Sequence, residues 1–393
     1  MAHTLPASRP LLRPARRFIA LSLAPLLAIS LAGCDVRLET PPHAEREPDA
    51  VELVRAAAAD DAAHIADQAY LSANLSSNSF FADQLSRVHD EAAAHLAALG
   101  GIYVSGLDDD DAAAGPDAAA EGASDGAVYS GPAAFVNTLN QAAARNLNAA
   151  NVDANGDKAR LLASIGVSQA LAAHRIHLLN VPEGETWSDD YDPVAELVLA
   201  GWTGGTHDGV IDEVAELGEP AGDEATGLTV ADFQAIVQSE DAARYAFEVA
   251  AARTEGDARA AFRQRARVHG ARAQAWAVLG LIAETDQDPR LVAYQVPIDM
   301  PMAELVLSIE QGLSNRWAAL IAAAAPGTRG PLIEAFLASQ LSVELWGGGI
   351  ATFPGMPELA GQFGAPVTPP DQPRIPYEWA AGLPEEEPTG PHE

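Results

Sequence analysis

Glu240-Asp241-Ala242-Ala243-Arg244-Tyr245-Ala246 stands 180 residues after Asp60-Asp61-Ala62-Ala63-His64-Ile65-Ala66, and the two stretches read as one helix met twice. The same offset, without a gap, sets Arg267-Val268-His269 on Arg87-Val88-His89, and Ala273, Ala277, Leu279 and Gly280 on Ala93, Ala97, Leu99 and Gly100. At an offset of 170 to 171, Val306, Gln311, Leu332, Ser339 and Gln340 fall on Val136, Gln141, Leu161, Ser168 and Gln169. Separate segments that agree on one register mark an internal duplication.

Each copy reads as four helices. In the second copy, Thr229 with Asp232 three residues on is a capping-box start, and the helix runs to about 253. Gly256 breaks it before a helix over 257–283, and Pro289 and Pro297 mark a long connection. A third helix covers 302–325, Pro326-Gly327 turns the chain, and a fourth covers 331–346. The first copy gives helices over 49–75, 80–99, 132–148 and 156–179. Two hairpins joined by a long crossover are the connectivity of a ferritin-like four-helix bundle. The expected fold is therefore all-α, with two tandem four-helix bundles at 49–180 and 228–358.

Composition agrees with helices. The 393 residues are 48% hydrophobic, enough for packed cores, while aromatics are 6% and alanine is abundant, which suits helices more than strands. Acidic residues number 55 against 23 basic ones, a formal charge of −32 that repels phosphate backbones and sets nucleic acid aside as a partner. The segment 108–126, acidic and rich in Gly and Ala, is expected to be a disordered loop, 181–227 an acidic linker with Trp187 and Trp202 as anchors, and 359–393 a Pro-rich unfolded tail.

The first 33 residues read as an export signal. Arg9, Arg13, Arg16 and Arg17 precede an apolar run from Phe18 to Ala32, too short for an ordinary membrane span. The run ends in Leu31-Ala32-Gly33-Cys34, which resembles the lipobox of bacterial lipoproteins. Cys34 is the single cysteine, so no internal disulfide is possible, and acylation of its sulfur would suit an oxidising compartment. Arg16-Arg17 leaves the twin-arginine route open beside the general secretory one. Cleavage before Cys34 would leave 19 basic residues and a charge of −36, so attachment to a membrane would come from lipid, with 34–48 as a tether.

The octapeptide from Glu240 to Phe247, Arg267-Val268-His269-Gly270-Ala271-Arg272, Ala293-Tyr294 and Phe353-Pro354-Gly355-Met356-Pro357 together look like a ferritin-like domain of unknown function found in bacterial lipoproteins. The resemblance spans about 228–358, with the first copy more distant. It implies a fold and no reaction.

A di-iron or di-manganese site in such a fold needs a Glu from each of two helices and Glu-x-x-His from each of the other two. Stepping by three or four from Phe233 through Val237 reaches Glu240 and Arg244, and His269 lies on the stripe of Phe262, Ala266 and Trp276. Ala266, however, stands where the carboxylate before His269 belongs, and Gly347 where a His after Glu344 belongs. In the first copy the positions of Glu240, His269, Glu310 and Glu344 become Asp60, His89, Asn140 and Ala173. The expectation is a buried polar cluster of Glu240, Arg244, His269 and Glu310 with no cofactor. The alternative is a metal, zinc or iron; for zinc, Asp60 and His64 one turn apart with His89 from the next helix would leave a fourth position open.

Asn151-Val152-Asp153-Ala154-Asn155-Gly156-Asp157 imitates the opening of a calcium loop, but Leu162 fills the twelfth place, and a capped turn is expected. Phosphate-loop and dinucleotide motifs are missing. The sequence thus points to a lipid-anchored, extracytoplasmic binding or structural module at the cell envelope, with an envelope protein as partner. The competing class is a metal-binding oxidase or storage protein.

Overall fold

The computed structural model describes residues 48–104, 131–179, 193–202, 226–297, 299–349 and 351–364. The expectations for the signal segment, Cys34, the loop at 108–126 and nearly all of the tail fall outside these residues. Among the described residues, regular structure is entirely helical, with ten α-helices, one 3-10 turn and no strand.

The first half consists of α1 (Ala50–Leu75), α2 (Ser79–Ala98), α3 (Pro132–Val152) and α4 (Gly156–Leu179). A short α5 (Pro193–Leu199) lies inside the stretch expected to be a linker. The second half is α6 (Val230–Ala252), α7 (Gly256–Leu279), α8 (Met302–Ala323) and α9 (Gly330–Leu345), closed by the 3-10 turn Pro357–Leu359 and the single-turn α10 (Ala360–Phe363). Local chemistry sets the starts. Asp49 accepts from Glu52 N at 2.8 Å, Asn78 accepts from Phe81 N at 3.1 Å, and Thr229 and Asp232 form the reciprocal capping box.

Helices pair as hairpins, α1 with α2, α3 with α4, α6 with α7 and α8 with α9, and α4 also packs on α8 and α9. The reason lies in α4 itself, where every residue from Leu162 to Ile176 is buried. A helix apolar on all sides needs neighbours on all sides, and α3 alone does not supply them. One core therefore joins Leu147, Leu162 and Ile165 of the first half to Phe233, Trp276, Trp317 and Phe336 of the second. Smaller clusters belong to one half each, around Leu85, Val88 and Leu139 in the first and around Phe247, Phe262 and Val306 in the second.

Polar ties reinforce that seam. Arg329 is 1% exposed, and its Nη1 donates to the carbonyls of Ala150 at 2.9 Å and Asp153 at 2.6 Å, while Lys158 pairs with Asp153 at 2.6 Å. Where the sequence imitates a calcium loop, the backbone oxygens thus meet a guanidinium, and Asn155 caps α4 through Lys158 N at 3.0 Å. The segment after α9 folds back onto the first half. Its carbonyls at Thr352, Pro354 and Gly355 accept from His95 at 2.8 Å, Ser164 at 2.7 Å and Arg160 at 2.7 Å. Gly355 has φ +68°, and a Cβ there would collide with Ala318 and Phe336, so only glycine fits this turn of Phe353-Pro354-Gly355.

Burial of two imidazoles predicts an acid limb of stability. Desolvation holds His95 at about 4, and desolvation helped by Arg175 and His177 holds His174 at about 4, both below the ordinary 6.5. The folded chain then binds fewer protons at these imidazoles than the unfolded one between those values, so their contribution to stability is complete above pH 6.5 and is lost as pH drops to 4. Each imidazole contributes up to roughly 3 kcal/mol of that loss. Thermal melts of His95→Gln, which keeps a donor for Thr352, should show a shallower acid slope than the parent. An unchanged slope would show that His95 is not a source of it.

Candidate functional site

The densest charge in the core gathers where α6, α7 and α8 meet. Glu240, His269 and Glu310 are each 0% exposed, and Arg272 is 3% exposed. His269 Nδ1 lies 2.6 Å from Glu240 Oε2, and its Nε2 lies 3.4 Å from Glu310 Oε1. Phe247 stacks on the imidazole with ring centroids 5.1 Å apart and fixes its plane between the two carboxylates. Arg265 Nε closes on Glu310 Oε1 at 2.5 Å, and Arg272 Nη1 approaches Glu240 Oε1 at 3.9 Å.

Burial alone would raise Glu310, but the Arg265 guanidinium and His269 outweigh it and hold the carboxyl at about 2. Burial lowers Arg272, against the pull of Glu240, Glu310 and Glu334. The carboxylates of Glu240 and Glu310 face the guanidiniums of Arg265 and Arg272, two charges of each sign, a balance that makes burial of so many ionic groups tolerable.

Arg244, expected within this cluster, lies elsewhere. Its side chain is 26% exposed and reaches Asp241 at 2.7 Å and Glu248 at 2.8 Å. One position further around α6 takes it to the helix surface, where partners three and four residues away hold it. The cations of the cluster come from α7 instead. Arg265, His269 and Arg272 are spaced by four and three on one helical face, a pattern readable in the sequence.

The zinc candidates do not converge. Asp60 and His64 are exposed, and His64 Nε2 contacts Gln68 at 3.0 Å. His89 turns its Nδ1 to the Ala66 carbonyl at 2.9 Å and its ring to Tyr70. Among the described residues no group of three or more His, Cys, Asp and Glu side chains is placed to hold a metal ion. The Glu240–His269–Glu310 arrangement likewise fits a di-metal centre poorly. Two guanidiniums bring fixed positive charge to the place where two cations would sit, and Arg265 already occupies an oxygen of Glu310.

A second buried ionic group was not anticipated. Arg175 of α4 pairs with Glu91 of α2 at 3.0 Å and with Glu344 of α9 at 2.8 Å, all three side chains being at most 8% exposed. Its signal in the sequence is Arg175 as the single charge in the apolar run from Leu161 to Ile176. Desolvation raises both Glu91 and Glu344, with Arg175 opposing it.

Residues 232–358 match the family model described as a domain of unknown function (DUF4439). That span holds α6 from its third residue, α7 to α9 and the returning Phe353–Pro357 segment, whose hydrogen-bond partners His95, Arg160 and Ser164 lie outside it. No curated protein and no solved structure matches the chain.

Proposed function

We propose that this chain is a lipid-anchored, extracytoplasmic protein whose two ferritin-like helical halves form a binding or structural module at the cell envelope, with another envelope protein as its partner. The observation that carries the reading is the guanidinium-compensated cluster. In a ferritin-like bundle the inward carboxylates of facing helices serve metal ions, whereas here Arg265 and Arg272 take up the charge of Glu310 and Glu240. Such a cluster orients helices and carries no exchangeable ligand. Support for the ferritin-like reading comes from four helices per half paired as two hairpins, with a long connection between the second and third. The anchor rests on Leu31-Ala32-Gly33-Cys34 and on the acidic remainder of the chain, which leaves lipid as the means of attachment. No helix among the described residues is long and apolar enough to cross a membrane.

Cys34→Ser in the producing cell should abolish metabolic labelling with palmitate and leave the signal segment uncleaved or the protein released. Labelling that persists would remove the anchor from the proposal. The metalloprotein alternative is tested on the same purified material by elemental analysis. Near-stoichiometric iron, manganese or zinc, lost on replacing His269 or His89, would overturn the structural reading.

A further inference from the structure

Beside the charge cluster, α6 and α8 diverge and leave a groove of about 410 Å³ roofed by the extended residues Tyr294 to Pro297. The volume lies in the range of small-molecule sites, about 300–1,000 Å³. On α8 the lining residues fall at 305, 308, 309, 312, 313 and 316, one continuous helical stripe. From Leu305 to Arg316 that stripe runs about 16 Å along the helix axis.

The polar inventory of the groove defines its ligand. Ser239 Oγ is spent on the Ala235 carbonyl at 2.7 Å, and Ser308 Oγ on the Leu305 carbonyl at 2.8 Å. Tyr294 OH donates to Asp241 Oδ2 at 2.8 Å, and Asp241, itself 4% exposed, is held by Arg244 at 2.7 Å. The Tyr294–Asp241 bond latches the roof to α6, and the three bonds together engage the hydroxyl protons of Ser239, Ser308 and Tyr294. Apart from the amide of Gln295 on the roof, what faces the groove is largely hydrocarbon from Ala242, Ala246, Leu305, Ile309 and Leu313. At its end stands Arg316, exposed and without a hydrogen bond or ion pair among the described residues. In a chain with 55 carboxylates and 23 basic residues, a guanidinium left unpaired at the mouth of an apolar groove complements an anionic head.

We propose that this groove binds an aliphatic monocarboxylate, with its chain laid along α8 and its carboxylate on Arg316. One guanidinium matches one carboxylate in bidentate geometry, and the length of the stripe suits a chain of medium length. The site stands apart from the envelope reading above: neither Cys34 nor any anchoring is needed for it.

Titration calorimetry of the mature chain with dodecanoate, dodecanol and acetate tests the assignment. Dodecanoate should bind at one equivalent, dodecanol about ten-fold or more weakly, and acetate without measurable heat. Arg316→Gln should bring dodecanoate down to the affinity of dodecanol. Gly312→Leu should block both: a Cβ at Gly312 meets nothing within 4 Å, so the larger side chain fills the groove and leaves the fold intact, as an unchanged melting curve would verify. Failure of dodecanoate to saturate, equal affinity for the acid and the alcohol, or binding that survives Gly312→Leu in the folded variant would each overturn the proposal.

Discussion

Residues 226–364 expressed without the first half are expected not to fold as a cooperative monomer. Their aromatic centre, Phe233, Trp276, Trp317 and Phe336, closes against Leu147, Leu162 and Ile165 of α3 and α4. Burial of three such aliphatic side chains contributes about 1.5–3 kcal/mol each, together comparable with the roughly 5–15 kcal/mol that a whole domain retains. Polar losses fall in the same place. Arg329 would lose the carbonyls of Ala150 and Asp153, and the returning segment would lose His95, Arg160 and Ser164. Far-ultraviolet dichroism of the fragment should still report helix, with weak near-ultraviolet signal, dye binding to exposed apolar surface and a broad melt. The chain from 48 to 364 should melt sharply. A sharp, monomeric transition in the fragment alone would show that the second half carries its own sufficient core.

What the sequence disclosed and what it withheld follow from the range of each interaction. Helix ends depend on neighbours three or four residues away, so Thr229 with Asp232, Gly256 and Pro326-Gly327 placed the second-half helices within a few residues, except that α7 ends at Leu279, four short of the expected boundary. Packing between halves depends on contacts more than a hundred residues apart. The seam nonetheless left one trace: between Leu161 and Ile176 the chain has no polar face to give to water, which is more burial than an independent four-helix bundle asks of its last helix.

The site shows the same division. Glu240, His269 and Glu310 lie on apolar stripes and were legible as inward-facing. Arg244 misled because an arginine 40° off the stripe has a long stem and turns to the nearest carboxylates, here Asp241 and Glu248 on its own helix. Arg175 stood out as a lone charge in an apolar run, but nothing local names the distant partners it answers, Glu91 and Glu344.

Arg175→Met is expected to cost on the order of 3–5 kcal/mol, because it leaves two buried carboxylates without their shared cation. The loss should depend on pH. Burial raises Glu91 and Glu344 above 4.5, so the folded chain binds more protons than the unfolded one just above that value, and their contribution to stability is lost as pH rises through the raised values. Without Arg175 the carboxylates rise further, which widens the window and makes the variant's deficit larger at pH 8 than at pH 5. His174 acts in the same direction: Arg175 helps to depress it, and removing that charge eases the acid penalty on the variant. Replacing Glu91 and Glu344 by Leu together with Arg175→Met should recover most of the loss and flatten its pH dependence, since no charged group is then stranded. Denaturant melts of the parent, the single and the triple variant at both pH values decide the matter. A single-variant loss below about 0.5 kcal/mol, equal at pH 5 and pH 8, would mean that water reaches these three side chains and that the seam between the halves is held by its apolar surface alone.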